Sequence, residues 1–251
     1  MEGASAEPVA DPLLEGRRIV EAAARAGVPL RLLGGVAIAL LCPSARRPPL
    51  ARGYADIDVA SVGGCRGAVA GLLEELGYEG DREFNALHGH RRLLFWDERN
   101  RRQVDVFLDE ANLCHRIPLK GRIEAAPLTL PLADLAVLKL QVVETNEKDY
   151  LDVCAIFADH EVGEGAGEVD AGYVAGLAAS DWGLWRTLGM VAERSESFAR
   201  ELRGFEAGGL VAERLSRLRE ALDAAPKTLG WKLRSRLGER KRWYELPEEA
   251  H

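Results

Sequence analysis

The fold is decided by the stretch Leu32-Leu33-Gly34-Gly35, followed further along the chain by Tyr54-Ala55-Asp56-Ile57-Asp58-Val59. The first stretch predicts a hydrophobic strand that ends at a glycine pair, where a helix begins. The second predicts a strand with carboxylates at positions i and i+2, whose side chains point to the same face. Two adjacent carboxylates repel each other unless a cation lies between them. Oxygen ligands favour Mg²⁺, which proteins usually hold with one or two carboxylates and substrate phosphates.

The glycine pair adds a second element to this pattern. A glycine-rich turn that leads from a strand into a helix places backbone N–H groups where phosphates bind. We expect Gly35 to lie where the backbone approaches the phosphates closely, and Gly34 to serve the turn itself. Together with Asp56 and Asp58, the pair predicts a metal–triphosphate site.

A third acid lies on a predicted hairpin. Residues 90–96 and 103–108 are largely apolar, and the polar turn 97–102 separates them, which is a hairpin pattern. Asp105 lies in the second strand, between two valines, where a buried carboxylate is costly without a partner. A neighbouring strand that carries Asp56 and Asp58 would supply that partner through a shared metal. The alternative is an aspartate at a sheet edge that faces water.

Gly34-Gly35, Asp56-x-Asp58 and Asp105, in that order, resemble the nucleotidyltransferase superfamily related to DNA polymerase β. The chain is most similar to the bacterial branch of that superfamily, which includes the toxin nucleotidyltransferases of abortive-infection systems. The resemblance spans residues 18–157. It implies an α+β fold, in which a nucleotidyltransferase-type mixed sheet flanked by helices is followed by a helical C-terminal domain.

Three further features match the same branch. Arg52 lies four residues before Asp56, and Lys139 lies on a predicted helix. The run Lys148-Asp149-Tyr150-Leu151-Asp152 matches an Arg-Asp-x-x-Asp element, with lysine in place of arginine. The resemblance implies that Arg52 and Lys139 bind nucleotide with Gly34 and Gly35. Lys139 also fits a helix lysine whose stem covers apolar neighbours. The two aspartates lie on one helix face, where they either orient Lys148 or Lys139 or are solvated.

The resemblance also implies a reaction. Asp56, Asp58 and Asp105 would be the catalytic residues and the metal ligands, with Mg²⁺ as cofactor and a two-metal site as one arrangement. An NTP such as ATP would donate a nucleoside monophosphate to a hydroxyl or phosphate acceptor, which is a small molecule, a tRNA or a protein. An antitoxin is a candidate partner. The alternative is a non-catalytic protein that binds nucleotide or a partner and retains the fold.

The patterns predict two domains, residues 1–128 and residues 129–251. Strands and helices alternate in the first, and a short strand pair is expected around 116–119 and Ile123. The second is predicted to be helical because apolar residues after Pro131 recur at helical spacing.

Composition limits the remaining function classes. The net charge of −7 argues against a general nucleic-acid-binding surface. No apolar run approaches the length of a membrane span, and residues 1–7 lack the features of a signal peptide, so we expect a cytoplasmic protein that does not use a membrane. The scattered cysteines predict free thiols and no zinc site. The basic stretch 227–242, with Trp231 and Trp243, fits either RNA contacts or a solvated basic helix.

Overall fold

The computed structural model describes residues 7–246 in two compact units. The first unit comprises the chain up to Leu41, Gly53–Ala111 and Ile117–Pro131, and the second comprises Cys42–Arg52, Asn112–Arg116 and the chain from Leu132 onward. The predicted domains 1–128 and 129–251 also include residues 1–6 and 247–251, which lie outside the described residues. Neither unit is one continuous stretch of chain.

The first unit is built on a five-stranded mixed sheet in the order β1-β2-β5-β4-β3. Strands β2 and β5 are parallel, and the other neighbours are antiparallel. Its strands are β1 (Leu30–Leu33), β2 (Asp56–Ser61), β3 (Glu79–Gly80), β4 (Arg92–Asp97) and β5 (Arg102–Leu108). Its helices are α1 (Pro12–Arg25), α2 (Gly34–Leu41), α3 (Arg66–Glu75) and α4 (Arg82–His88), with a 3₁₀ turn at Gly63–Cys65.

The core of this unit lies against one face of the sheet. Ile57, Val59, Val104 and Val106 alternate along the two parallel strands and are fully buried, as expected for strands covered by helices. Helix α1 packs closely here, since a Cβ on Gly16 would lie 3.0 Å from Leu32 Cδ2. The intervening residues of β2 and β5 point to the opposite face, and these include all three predicted acids.

The second unit is almost entirely helical. It contains α5 (Leu132–Leu140), α6 (Glu147–Asp159), α7 (Ala171–Ser180), α8 (Trp182–Glu201), α9 (Gly208–Ala224) and α10 (Leu229–Ser235). Two 3₁₀ turns, Pro43–Arg46 and Gly238–Arg240, belong to the same unit. The two-residue strands β8 (Val162–Gly163) and β9 (Val169–Asp170) pair in parallel. A mixed sheet flanked by helices and a helical C-terminal region therefore confirm the α+β class at that level.

Local differences from the sequence prediction have simple causes. The short strands β6 (Glu110–Asn112) and β7 (Arg116–Pro118) form a separate two-stranded sheet, and Ile123 lies in a turn, so the strand predicted at Ile123 is wrong. Helix α4 spans only seven residues, too few for helical periodicity to show in the sequence. Its start is fixed by Asp81, whose side chain accepts a hydrogen bond from the Phe84 N–H at 2.9 Å. No helix within residues 7–246 is long and apolar enough to cross a bilayer.

The four cysteines are free thiols, as predicted. Burial raises the pKa of Cys42 to about 12, and it does the same for Cys154. Cys65 is only half-buried. Because the thiolate is the reactive form, we expect iodoacetamide at about pH 8 to modify Cys65 well before Cys42 or Cys154. Peptide mass spectrometry over time measures the order, and labelling in urea provides the control. Equal labelling rates in the folded protein would contradict it.

Candidate active site

Three carboxylates lie on one face of the first unit's sheet. Asp56 and Asp58 are two apart on β2 and therefore point the same way. On the parallel neighbour β5, Asp58 is paired in register with Asp105, and Asp56 with Gln103. Solvent exposure decreases from Asp56, which is exposed, through Asp58, which is half-buried, to Asp105, which is buried. The strand register thus brings together the acids that the sequence pattern singled out.

Gly34 lies beside this row of acids, directly after the end of β1. Leu33 is paired with Asp58, so the next residue turns beside the Asp58 carboxylate. Gly34 has a φ of +66°, and a Cβ built on it would lie 2.0 Å from Asp58 Oδ2. Both the backbone angle and the space therefore require glycine. Gly35 follows as a buried residue in the first turn of α2. The close approach seen here is that of Gly34 to the Asp58 carboxylate. The approach of Gly35 to the phosphates stays a prediction.

Asp105 is held by two side chains that the sequence analysis did not identify. Arg92 Nε donates to Asp105 Oδ1 at 2.7 Å, and Gln103 Nε2 donates to Asp105 Oδ2 at 2.6 Å. Gln103 lies two residues before Asp105 on the same face of β5. Arg92 is on β4, diagonally across the hairpin, where Leu94 is the direct partner of Asp105. The two-residue spacing between Gln103 and Asp105 is visible in the sequence and puts both on one face of a strand. The contact of Asp105 with Arg92 depends on the hairpin register.

Aromatic rings fix the position of Arg92. Its guanidinium carbon lies 5.3 Å from the ring centre of Phe107 and 5.6 Å from that of Phe84. Phe107 is two residues after Asp105 on β5, and Phe84 is on α4. Both distances fit cation–π interactions. The Arg92–Asp105 ion pair is therefore held in place on the sheet face, and the arginine is only partly exposed.

The predicted nucleotide-binding cations lie in the second unit, where they form an ion-pair cluster. Arg52 donates from Nε to Asp152 Oδ1 at 2.9 Å and from Nη2 to Oδ2 at 2.6 Å. Lys139 Nζ lies 2.9 Å from Asp149 Oδ1 and 2.8 Å from Asp152 Oδ2. Burial alone would lower the pKa of Lys139, but the charges of Asp152 and Asp149 outweigh it and raise that pKa.

This cluster accounts for the Lys-Asp-x-x-Asp element. Asp149 also belongs to the capping box of α6, in which the N-cap Asn146 Oδ1 accepts from the Asp149 N–H at 3.1 Å and Asp149 Oδ2 accepts from the Asn146 N–H at 3.4 Å. Asp152 is 2% exposed and accepts from both cations. Lys148 is exposed on the same helix. The two aspartates therefore pair with Lys139 and Arg52 rather than forming a solvated face.

The carboxylate face would offer a magnesium ion two carboxylates from one strand. Asp56 and Asp58 project oxygen ligands from one face, and Mg²⁺ requires only one or two carboxylates beside substrate phosphates. The oxygens of Asp105 are already engaged by Arg92 and Gln103. Across residues 7–246, no three His, Cys, Asp or Glu side chains are arranged to hold a metal ion together. The residues present thus fit a two-carboxylate site.

The basic C-terminal stretch packs its aromatic residues within the second unit. Lys227 Nζ lies 5.7 Å from the ring centre of Trp231, which contacts Trp185 edge-on at 5.3 Å between ring centres. Trp243 Nε1 donates to Thr187 Oγ1 at 3.1 Å. Rings used in this way are less available for base stacking. The packing favours a solvated basic helix over an RNA-stacking surface.

Comparisons with known proteins add little to this site. No protein-family profile matches the chain, and no curated protein matches it. The chain is similar to the protein in a solved structure described as the crystal structure of JHP933 from Helicobacter pylori. The two are 12% identical, the match covers 84% of this chain and 90% of that chain, and the TM-score is 0.40. A likeness at that level supports no conclusion on fold or function.

Proposed function

We propose that this protein is a Mg²⁺-dependent nucleotidyltransferase that moves a nucleoside monophosphate from an NTP to a hydroxyl or phosphate acceptor. The observation that carries the proposal is the paired row of acids, in which Asp58 lies in register with Asp105 while Gly34 abuts the Asp58 carboxylate. An acid pair beside a glycine turn that starts a helix combines a cation site with a phosphate site. The sheet would then be of the nucleotidyltransferase type.

The proposed roles follow from the position of each group. Asp56 and Asp58 hold Mg²⁺, which supplies Lewis-acid stabilisation of the triphosphate charge when bound. The backbone N–H groups at the start of α2, including that of Gly35, would donate hydrogen bonds to the phosphates. Asp105, at the buried end of the row, either ligates a second ion or accepts the proton of the acceptor hydroxyl.

Arg52 and Lys139 are weaker candidates for binding the phosphates than the groups of the first unit. Their two positive charges are matched by Asp149 and Asp152, so the cluster has no excess formal charge. A neutral cluster attracts a triphosphate less strongly than two unmatched cations. The proposal therefore rests on the first unit, and the acceptor remains a small molecule, a tRNA or a protein. An antitoxin partner is a proposal that rests on the family resemblance alone.

A second candidate function is nucleotide or partner binding without catalysis. The observation that favours it is the engagement of both Asp105 oxygens by Arg92 and Gln103. An aspartate held in this way can be a structural ion pair, whose loss leaves the partner charge uncompensated, without any catalytic role. Incubating the protein with each labelled NTP and a cell extract separates the two functions, because only an enzyme transfers label. Sensitivity of the labelled product to ribonuclease or protease then identifies the acceptor class.

Asp58→Asn is expected to weaken Mg²⁺-dependent NTP binding by more than about 100-fold, since even a change behind a metal ligand costs 10–100-fold. The variant keeps the shape of the side chain and removes its charge. Isothermal titration with Mg²⁺ and a non-hydrolysable NTP measures the loss. Glu79→Gln, at an exposed site on strand β3, is the matched control and should bind like wild type. Equal affinities for wild type and Asp58→Asn would mean that the site is assigned wrongly.

A further inference from the structure

We propose that two copies of this chain associate through the second unit, with a leucine ridge of each copy held in an apolar groove of the other. The ridge consists of Leu229, Leu233 and Leu237, on α10 and the residues that follow it. The groove lies between α7 and α9. Both surfaces belong to the second unit, and the inference is independent of the proposed function.

The leucine ridge is an apolar surface that the described chain leaves open to solvent. Leu229, Leu233 and Leu237 are 73%, 53% and 49% exposed. They are four residues apart, and helical backbone angles continue through Leu237, so they follow one another along one side of the helix. Single exposed leucines are ordinary, but a continuous apolar row indicates a contact surface.

A groove in the same unit has the matching shape. Its volume is about 600 Å³. Small residues of α7, of α9 and of the segment after α9 line it, including Ala175, Gly176, Ala179, Ala221, Ala225 and Pro226. An apolar cavity of about 150 Å³ holds a benzene molecule, so this groove accommodates several leucine side chains.

Gly176 is the residue of the groove that contacts within its own chain do not explain. It lies in α7 with a φ that is not positive, where glycine is less stable than alanine. A Cβ built on it would meet no neighbouring side chain or segment of the described chain within 4 Å. Packing and backbone angle therefore both permit a larger side chain. Glycine here keeps the groove deep and lets an incoming leucine approach the helix backbone.

Charge selects the groove of a second copy as the partner of the ridge. Lys232 and Arg236 are exposed, and each lies three residues after a ridge leucine, on the flank of the ridge. Two ridges placed face to face would bring these like charges together. The groove is bordered by Glu164, which is exposed, and none of the described residues that line it is a lysine or arginine. Opposite charges at the borders of ridge and groove favour the association of one with the other.

The ridge and the groove are neighbours within one copy. The Thr228 N–H, at the start of α10, donates to the carbonyl oxygen of Ala179 in the groove at 3.1 Å. Pro226 lines the groove only three residues before Leu229. A copy that presents both surfaces side by side can receive the ridge of its partner while it inserts its own. Such a reciprocal contact closes around a twofold axis, so the product is a dimer rather than a filament.

Sedimentation velocity of the full chain over a micromolar concentration series tests the association. We expect wild type to approach twice the 27.4 kDa mass of one chain. The double change Leu229→Gln and Leu233→Gln removes the apolar ridge, and Gly176→Leu fills the groove. Each should weaken dimerisation by at least about tenfold. Circular dichroism should show wild-type folding for both variants, since they change exposed positions.

A mixture of the ridge variant and the groove variant tests whether the two surfaces meet. The mixed pair retains one intact contact, between the ridge of the groove variant and the groove of the ridge variant. Neither variant paired with itself retains any. With one variant fluorescently labelled, we expect the mixed pair to associate more tightly than either variant associates with itself.

Leu87→Gln is the matched control, because Leu87 is 65% exposed on α4, outside both surfaces, and this variant should dimerise like wild type. Glu164→Lys should weaken dimerisation, and it serves as the groove variant if Gly176→Leu fails to fold. A wild type that stays monomeric throughout the series would overturn the inference. A dimer that survives the ridge and groove changes would also overturn it, as would a mixed pair no tighter than the variants paired with themselves.

Discussion

Asp152→Ala is expected to destabilise the protein by about 3–5 kcal/mol, because removing the carboxylate shared by Arg52 and Lys139 leaves this largely buried cluster with one positive charge in excess. Asp152 is 2% exposed and accepts hydrogen bonds from both Arg52 and Lys139. Its loss leaves Asp149 as the partner of Lys139 within the second unit and takes from Arg52 the carboxylate that it contacts through two nitrogens. Differential scanning calorimetry should show a fall in the unfolding midpoint on the order of 10 °C.

Lys148→Ala provides the matched control for this change. Lys148 lies on the same helix and in the same sequence element, but its side chain is exposed. Surface substitutions of this kind usually alter stability by less than about 0.5 kcal/mol. A destabilisation of Asp152→Ala no larger than that of Lys148→Ala would show that the cluster contributes nothing to the folded state.

Gly34→Ala is expected to abolish binding of the metal–nucleotide complex while lowering stability only moderately. The φ of +66° costs an alanine about 1–2 kcal/mol. The new Cβ would also meet Asp58 Oδ2 at 2.0 Å, so the carboxylate has to leave its place in the row. A displaced metal ligand lowers affinity far more than a strained turn does. Melting temperature and titration with Mg²⁺ and a non-hydrolysable NTP measure the two effects separately.

Gly27→Ala separates backbone strain from the contact with Asp58. Gly27 has a similar φ of +70°, but nothing lies within 4 Å of a Cβ placed there. We expect this variant to lose similar stability and to bind nucleotide normally. Gly35→Ala adds a second comparison, since Gly35 lies inside the helix and its φ is not positive. If Gly34→Ala bound the metal–nucleotide complex as tightly as Gly27→Ala, Gly34 would only shape the turn and would have no role in binding.

The elements that carry the acids could be predicted because their patterns are local. The sequence predicts a strand that carries Asp56 and Asp58, and the structure has it at Asp56–Ser61, since alternation with period two is visible within a few residues. The second hairpin strand was located in the same way. The facing of Asp58 and Asp105 is different in kind, because it depends on a parallel register between segments separated by α3, α4 and the hairpin. The sequence indicated it only indirectly, through the cost of burying Asp105 without a partner and through the family resemblance.

The partners of the charged residues could not be read from the sequence. Arg52 and Asp152 are 100 positions apart, and no local pattern connects them. Arg92 is close to Asp105 along the chain, yet its contact follows from the exact pairing of Leu94 with Asp105 across the hairpin. A turn one residue longer would have placed a different side chain beside the acid. Charged clusters of this kind are fixed by tertiary packing, which composition and periodicity do not encode.

The in-register pairing of β2 with β5 also constrains how this chain can tolerate insertions and deletions. The connecting segment between the two strands, residues 62–101, can change length at its surface turns without moving either strand. A deletion of one residue inside β5 is different, because it reverses which side chains face each way. Val104 or Val106 would then take the place of Asp105, and the acid would enter the apolar core. Homologous sequences that retain the acid row should therefore vary in length between these strands and never within them.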